Sequence, residues 1–412
     1  MKKIIASLVL LLVAHWSQGQ VLTLDSVLNR IEKNNPQLKV YEANILADSA
    51  YASGAKSWDA PTIQAGIWNT PYGHFFNSDY KNSGQLMFAA EQSIPNPGKL
   101  KAKQNFLNAK GSVQSANRSY ALNQLLSEAK LNYYNWVILK RKQSVLISID
   151  SLLTFIIKDA ELRYPYNQDN LSSVYKAKAE LFELNIEQVM NENEIQQKQI
   201  ALSTLMNRDK NFVFDVDTNI VVRDYQTTLI DTTSINKFRS DIRSIDQSIN
   251  VQLLNQKAEL SNLKPDFGIR CEHMQTFGNQ PLFYSILGMV TIPIAPWSKK
   301  QYHSNAAGMQ YEIEAMQNQK QSIVNETAGK LQSIQTDISN KKIQLEMYHK
   351  NIIPALQNNY HTTLLAYEQN KEDFFVVLDA IRAMSDAQLE NLNLQQEQLQ
   401  LQVSYDQEIE QR

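Results

Sequence analysis

The chain has 412 residues, a formal charge of −2 from 40 basic and 42 acidic side chains, 43% hydrophobic residues, one cysteine, 12 glycines and 11 prolines. So little glycine and proline, against ordinary usages of about 7% and 5%, means few turns and long helices, and the near-neutral charge excludes a nucleic-acid footprint, which needs a clustered basic excess. One cysteine excludes a disulfide framework and a cysteine-rich zinc module, and a mean hydropathy of −0.39 excludes a polytopic helical membrane protein.

At the N-terminus, Lys2 and Lys3 precede an apolar run over residues 4–14 and the polar Ser17-Gln18-Gly19. That is the pattern of a secretory signal peptide over 1–19, cut between Gly19 and Gln20; the run is too short to span a membrane, which takes about 20 residues. A core helix is the alternative. No cysteine stands near the cut to carry a lipid. A helix follows over 24–57, then short alternating strands over 62–69 and 85–94. A helical pattern runs over 98–165, its apolar positions Leu122, Leu126, Ala129, Tyr133 and Trp136, with the stem of Lys140, stepping by threes and fours as in a coiled-coil seam. A return helix over 170–207 completes a hairpin. Residues 208–234 break the pattern, and the alternation Phe212, Phe214, Val216 suggests a short strand in an equatorial collar. The second part repeats the order: helix over 235–263, strands over 266–274 and 282–292, a long arm over 297–366 that Pro354 should bend, and a return over 372–412.

The chain is thus written twice. Asn35-Pro36-Gln37-Leu38 echoes at Arg239-Ser240-Asp241-Ile242, Pro61-Thr62-Ile63 at Pro265-Asp266-Phe267, Ile94-Pro95 at Ile292-Pro293, and Tyr164 with Asn167 at Tyr367 with Asn370. These anchors are collinear at a spacing of about 200 residues, the signature of an internal repeat. Each unit holds its strands between helices, giving units over 20–207 and 235–412 joined by 208–234. A long arm is matched in length only if two shorter helices stack end to end beside it, and at 1.5 Å per residue each arm reaches roughly 100 Å, the wall of a tube.

Each strand is about 9–11 residues long, enough to cross a bilayer in a tilted barrel. Trp58, Trp68, Tyr72, Phe75, Phe277 and Phe283 gather at strand ends, where an aromatic girdle would lie. A half-buried soluble sheet shows the same alternation. Four strands cannot close a barrel, and open edges do not survive in lipid, so a barrel would be shared among chains; three chains would supply twelve strands. Segments 71–83 and 278–281 would then face the outside.

On these residues the chain resembles the TolC-type outer-membrane efflux channels over essentially its whole mature length. The resemblance rests on the Asn35 motif and its echo, on Gln92-Ser93-Ile94-Pro95-Asn96-Pro97-Gly98-Lys99 and its echo Ile292-Pro293-Ile294-Ala295-Pro296-Trp297, and on the hairpin tips Arg163-Tyr164-Pro165-Tyr166-Asn167 and Ala366-Tyr367-Glu368-Gln369-Asn370, the latter followed by Val377-Leu378-Asp379-Ala380. The Pro-Gly-Lys entry at Pro97-Gly98-Lys99 looks most like the heavy-metal efflux branch. The resemblance implies a mainly α fold with a small β part: a homotrimer whose twelve-stranded barrel sits in outer-membrane lipid and continues as a helical tunnel in the periplasm. It implies a periplasmic adaptor and an inner-membrane pump docking at the tips, so that Tyr164, Asn167, Asp169, Tyr367, Asn370, Glu372 and Asp373 become tip and docking residues. Glycine is usual in the tip turn; Asn167 and Asn370 replace it here, and asparagine also tolerates the left-handed conformation.

No enzyme constellation is present: no glycine-rich phosphate loop, no G-x-S-x-G, no H-E-x-x-H, and no cofactor is expected. Cys271-Glu272-His273-Met274 invites a metal reading, but strand alternation puts Cys271 and His273 on one face and Glu272 and Met274 on the other, and two ligands do not complete a tetrahedral site. By resemblance, Asp379 matches an aspartate that narrows the tunnel entrance, where three copies would form a cation-attracting ring; a solvated helix face with Arg382 as its partner is the alternative. In that reading Val376, Val377 and Leu378 pack away from the axis. Asp169, Asn170, Glu372 and Asp373 should also cap the return helices. The leading function is a passive exit duct of a tripartite efflux system for small molecules or metal cations. A duct for protein secretion and a secreted coiled-coil scaffold are the alternatives.

Overall fold

The structure is a computed structural model describing residues 20–70, 72, 84–166, 170–220, 222–223, 225, 232–277 and 280–410. The expected signal peptide, most of the expected outer loop 71–83, Gly278, and Asn167 and Asp169 of the first tip lie outside the described residues, as does Phe75 of the expected girdle.

The first half runs β1 (Gln20–Leu22), α1 (Leu24–Asn34), α2 (Pro36–Gly54), β2 (Thr62–Trp68), β3 (Gln85–Ile94), α3 (Pro97–Arg163), a 3-10 turn (Tyr164–Tyr166), α4 (Leu171–Leu205) and β4 (Phe214–Val216). The second runs α5 (Thr232–Phe238), α6 (Ser240–Ser261), β5 (Asp266–Thr276), β6 (Phe283–Thr291), α7 (Pro296–Met347), a π-helical turn (Tyr348–Ile352), α8 (Ile353–Glu368) and α9 (Phe374–Ile409). Contacts divide the chain into a helical unit (Met1–Lys39, Tyr120–Arg239, Val324–Arg412) and a sheet unit (Val40–Ser119, Ser240–Ile323), each drawing on both halves.

Two helices expected to be continuous are broken. Asn35 takes an extended conformation (φ −64°, ψ 124°), because the residue before a proline is pushed out of the helical region. Its carboxamide oxygen accepts from Gln37 N at 2.9 Å, capping α2, and its Nδ2 donates to the Leu205 carbonyl at 2.9 Å. The joint is thereby fastened to the end of α4. Arg239 stands between α5 and α6 with no proline after it, and donates to the Glu408 carbonyl at 3.1 Å, near the end of α9. A π turn stands immediately ahead of Pro354 in the long arm. It widens the ladder, with Ile353 N bonded to Tyr348 O, so the helix passes the position where proline supplies no donor.

In the helical unit, Leu122, Leu126, Ala129, Tyr133 and Trp136 of α3 are all buried, and Lys140 pairs with Asp215 at 2.6 Å. The seam continues as Leu146, Ile149, Leu153, Ile156 and Ala160, again in threes and fours, and packs with Val174, Ala177 and Leu184 of α4, Tyr360 and Tyr367 of α8, and Phe374, Val377, Ile381 and Met384 of α9. Two helical hairpins thus share one core. Of the expected alternation at the collar, Phe214 and Val216 are buried strand residues, while Phe212 precedes the strand and stacks on Phe214 at 5.9 Å. Strand β4 pairs in parallel with β1, a partner that sequence reading did not find. Trp136 meets Phe214 edge-on at 5.1 Å, and the Tyr133 hydroxyl lies 3.0 Å from Leu22 O and 3.1 Å from Asp217 O; burial pushes its pKa up to about 12.

In the sheet unit, four antiparallel strands lie in the order β2-β3-β5-β6. Directly opposed residues share a face, so the register sorts every side chain. One face carries Ile63, Ala65 and Ile67 beside Leu86, Phe88 and Ala90, then Phe267, Ile269, Cys271 and His273, then Tyr284, Ile286 and Val290. It holds no Asp, Glu, Lys or Arg. The other face carries Thr62, Gln64, Glu91, Ser93, Arg270 and Glu272, with Met87, Met274 and Leu287 among them. Arg270 bonds Glu272 at 2.6 Å and lies 3.5 Å from Glu91. Asn96 turns the chain from β3 into α3: its Oδ1 accepts from Gly98 N at 2.9 Å, and its own N–H donates to Asp266 at 3.0 Å. Asp266 also takes the Lys99 ammonium at 2.5 Å.

Candidate functional site

The hairpin tips gather most of the residues singled out in the sequence. Helix α8 ends in a six-residue turn in which Asn370 N donates to Tyr367 O and Lys371 N to Ala366 O, both at 2.9 Å. This Schellman arrangement requires a left-handed residue, and Asn370 supplies it with φ 56°. Tyr367 is only 3% exposed; its ring meets Phe374 at 6.0 Å and lies under the Arg163 guanidinium at 4.6 Å. Tyr367 is therefore a core residue of the tip, while Tyr164 and Tyr166 stand exposed on the 3-10 turn.

Sequence reading assigned no role to Arg163. It joins the two tips: Nε bonds Asp159 at 2.8 Å, and Nη1 reaches Asn370 Oδ1 at 3.0 Å and Tyr367 O at 3.4 Å. A cation suits the C-terminal end of α3, where free carbonyls carry partial negative charge. The signal was available in the echo, since Ala366 fills the matching place in the second tip.

The expected caps are realised unequally. Asn170 caps α4 through its side chain, accepting from Ser172 N at 3.0 Å. Asp373 occupies the capping position of α9 without a side-chain cap bond, and Glu372 is exposed beside it. Capping by Asp373 is corrected accordingly: only its carbonyl is used, accepting from Val376 N at 3.0 Å.

Asp379 lies on the exposed face of α9, two turns past the tip. Its expected neighbours divide. Val377 and Leu378 are buried in the shared core, but Val376 is exposed together with Phe375 on the Asp379 side, because residues three and four apart share a helix face. Arg382 does not neutralise Asp379. It reaches Glu180 of α4 at 3.9 Å instead, and Asp379 makes no ion pair among the described residues. Burial holds the Glu180 carboxyl above the ordinary range, Arg382 and Lys176 pull it down, and Asp379 adds a smaller upward push. Asp379 thus stands exposed with no ion pair of its own among the described residues, on a face it shares with Glu180, Arg382 and Lys176.

Cys271 and His273 share the apolar face of the sheet, opposite Ala90 and Phe88 on β3, while Glu272 on the other face is engaged by Arg270. No group of three or more metal-ligating side chains occurs among the described residues.

No protein-family profile and no curated protein sequence matches the chain. Solved structures do. The chain is similar to the outer-membrane channel OprN (TM-score 0.75, 13% identity, 94% of this chain and 89% of that one). It is also similar to the outer membrane protein VceC from Vibrio cholerae (0.73, 14%, 94% and 95%) and to the Campylobacter jejuni CmeC outer membrane channel (0.72, 14%, 94% and 85%). The fold is that of the TolC-type outer-membrane channels, mainly helical with a small sheet part.

Proposed function

We propose that three copies of this chain form a passive duct across the outer membrane, each lending β2, β3, β5 and β6 to one twelve-stranded barrel. A helical tunnel continues it into the periplasm, where an adaptor and an inner-membrane pump engage the tips and drive small molecules or metal cations outward. The observation that carries this reading is the segregation of charge in the sheet. All four strands keep Asp, Glu, Lys and Arg off one face, as a lipid-facing wall demands, and β2 and β6 each have a strand on one side only. An open edge is not tolerated in lipid, so neighbouring copies must complete it. The Pro97-Gly98-Lys99 lead-in favours the metal branch. Asp379 is the residue proposed to narrow the tunnel, and the exposed tip residues Tyr164, Tyr166, Glu372 and Asp373 are proposed to meet the adaptor.

Amine crosslinking of the full chain in mild detergent should stop at three chains; a monodisperse monomer would end the reading. Orientation is tested separately. Tyr72, just past the end of β2, is fully exposed and would face the outside. In a Cys271→Ser background, Tyr72→Cys should react with a membrane-impermeant maleimide on intact cells. Labelling only after the outer membrane is permeabilised would reverse the proposed orientation.

A further inference from the structure

A cleft of about 510 Å³ opens in the helical unit between α3, the collar segment after β4, α7 with its π turn, and α9. That size lies among the sites that take small molecules, about 300–1,000 Å³. Part of the lining is apolar. Leu345 of α7 and Leu399 of α9 are buried, Ile220 packs against Leu399 in one cluster, and Val222 of the collar is 50% exposed. The rest is mostly basic: Arg141, Lys342, His349 and Lys350 line the cleft, and Glu346 is the one carboxylate among its lining residues.

These cations are not matched as their chain neighbours are. Lys140 pairs with Asp215, Lys142 with Glu187 and Lys341 with Glu397. Arg141 stands between the first two and reaches only neutral oxygens, Gln395 Oε1 at 2.9 Å and Thr218 O at 3.2 Å. It makes no ion pair among the described residues. Those bonds fix the guanidinium without neutralising it, and its remaining N–H groups are left for an acceptor. Arg141 is also half-buried, so water screens it less than a surface cation. Lys350 lies 3.5 Å from Glu346, but both side chains are exposed, and such a pair opens at little cost. His349 and Lys350 are carried by the π turn, a distortion frequent at functional sites.

We propose that this cleft binds a small amphiphilic carboxylate, its head held by Arg141 and Lys342 and its apolar body lying along Ile220, Val222 and Leu345. A guanidinium and a carboxylate make short, charge-assisted hydrogen bonds, and the head would supply the counter-charge that Arg141 lacks. A bare inorganic anion would leave the apolar lining in water. A neutral apolar molecule would bury the cations without a partner, which costs more than the contact returns. Both parts of the ligand are therefore needed. Every lining residue belongs to the helical unit of one chain, so the site does not depend on the duct reading. An occupant would tie the collar to α7 and α9.

The test photolabels the full chain in nonionic detergent with a diazirine analogue of dodecanoate and maps the adducts by mass spectrometry. Label should fall on the lining segments 220–222, 342–350 or 395–399, and excess dodecanoate should remove it there. Dodecanol, with the tail and no charge, and acetate, with the charge and no tail, should not. Arg141→Gln, and separately Lys342→Gln with Lys350→Gln, should each cut this labelling about tenfold or more, the effect of losing a hydrogen bond to a charged group. Helical circular dichroism should be unchanged in both. No protectable label on the lining segments overturns the site. Protection by dodecanol as strong as by dodecanoate would mean a merely apolar groove, and protection by acetate a bare anion site; either overturns the proposal, as does undiminished label in both folded variants. The competition on the unaltered chain decides the case even where a variant fails to fold.

Discussion

Lys130→Met should lower the stability of the folded chain by about 3 kcal/mol, the cost of breaking a buried ion pair by removing one partner. Asp406, near the end of α9, is only 4% exposed. Its carboxylate takes the Lys130 ammonium at 3.3 Å and the Tyr225 hydroxyl at 2.6 Å, with Arg223 at 3.7 Å. Burial and this bond to Asp406 push the Tyr225 hydroxyl well above the ordinary tyrosine range, so it stays a donor at physiological pH. Without Lys130 the carboxylate keeps one neutral donor and one half-exposed guanidinium, too little to replace the lost water. Thermal unfolding in detergent, followed by loss of helical circular dichroism, reads the effect. Lys130→Met with Asp406→Leu should recover most of the loss, because an apolar pair of similar volume leaves no stranded charge. A midpoint in Lys130→Met equal to that of the unaltered chain would mean that the pair contributes nothing.

The second large effect concerns conduction. Asp379→Asn should reduce the cation selectivity of single channels in planar bilayers and weaken block by multivalent cations, leaving trimer assembly unchanged. The carboxylate stands on a helix held by Phe374, Val377, Leu378 and Ile381 in the shared core, and no cation of its own chain pairs with it among the described residues. Three such charges around a narrow passage attract cations and repel one another. Because Tyr367 is buried within its own tip, closure would have to be held by exposed residues such as Tyr164, Tyr166 or Glu372. Unchanged selectivity and block in Asp379→Asn would return Asp379 to a solvated helix face.

Much of this architecture was legible because the relevant physics is local. The seam from Leu122 to Trp136 was read from its spacing, since a helix buries whatever recurs by threes and fours. Strand β3 was placed to the residue, and the two faces around Cys271 and His273 followed from strand alternation alone. Asn370 was read as the left-handed turn residue, because the cost of that conformation belongs to the residue itself. Pro354 was recognised as a disturbance, although the π turn that absorbs it was not.

What the sequence determined by itself was therefore the alphabet of elements: long helices, the strands of the four-stranded sheet and their order along the chain. Tertiary structure alone decided the partners. The pairing of β1 with β4, the Arg163 link between tips, the Arg239–Glu408 joint and the Asp406 cluster each join residues far apart in the chain. No periodicity announces such contacts, because a charge or an edge strand reads the same whether it meets water or a partner. Asp379 shows the division most clearly. Its helix and its distance from the turn follow from spacing, but whether Arg382 neutralised it depended on Glu180 of α4, which the fold brings to Arg382 instead.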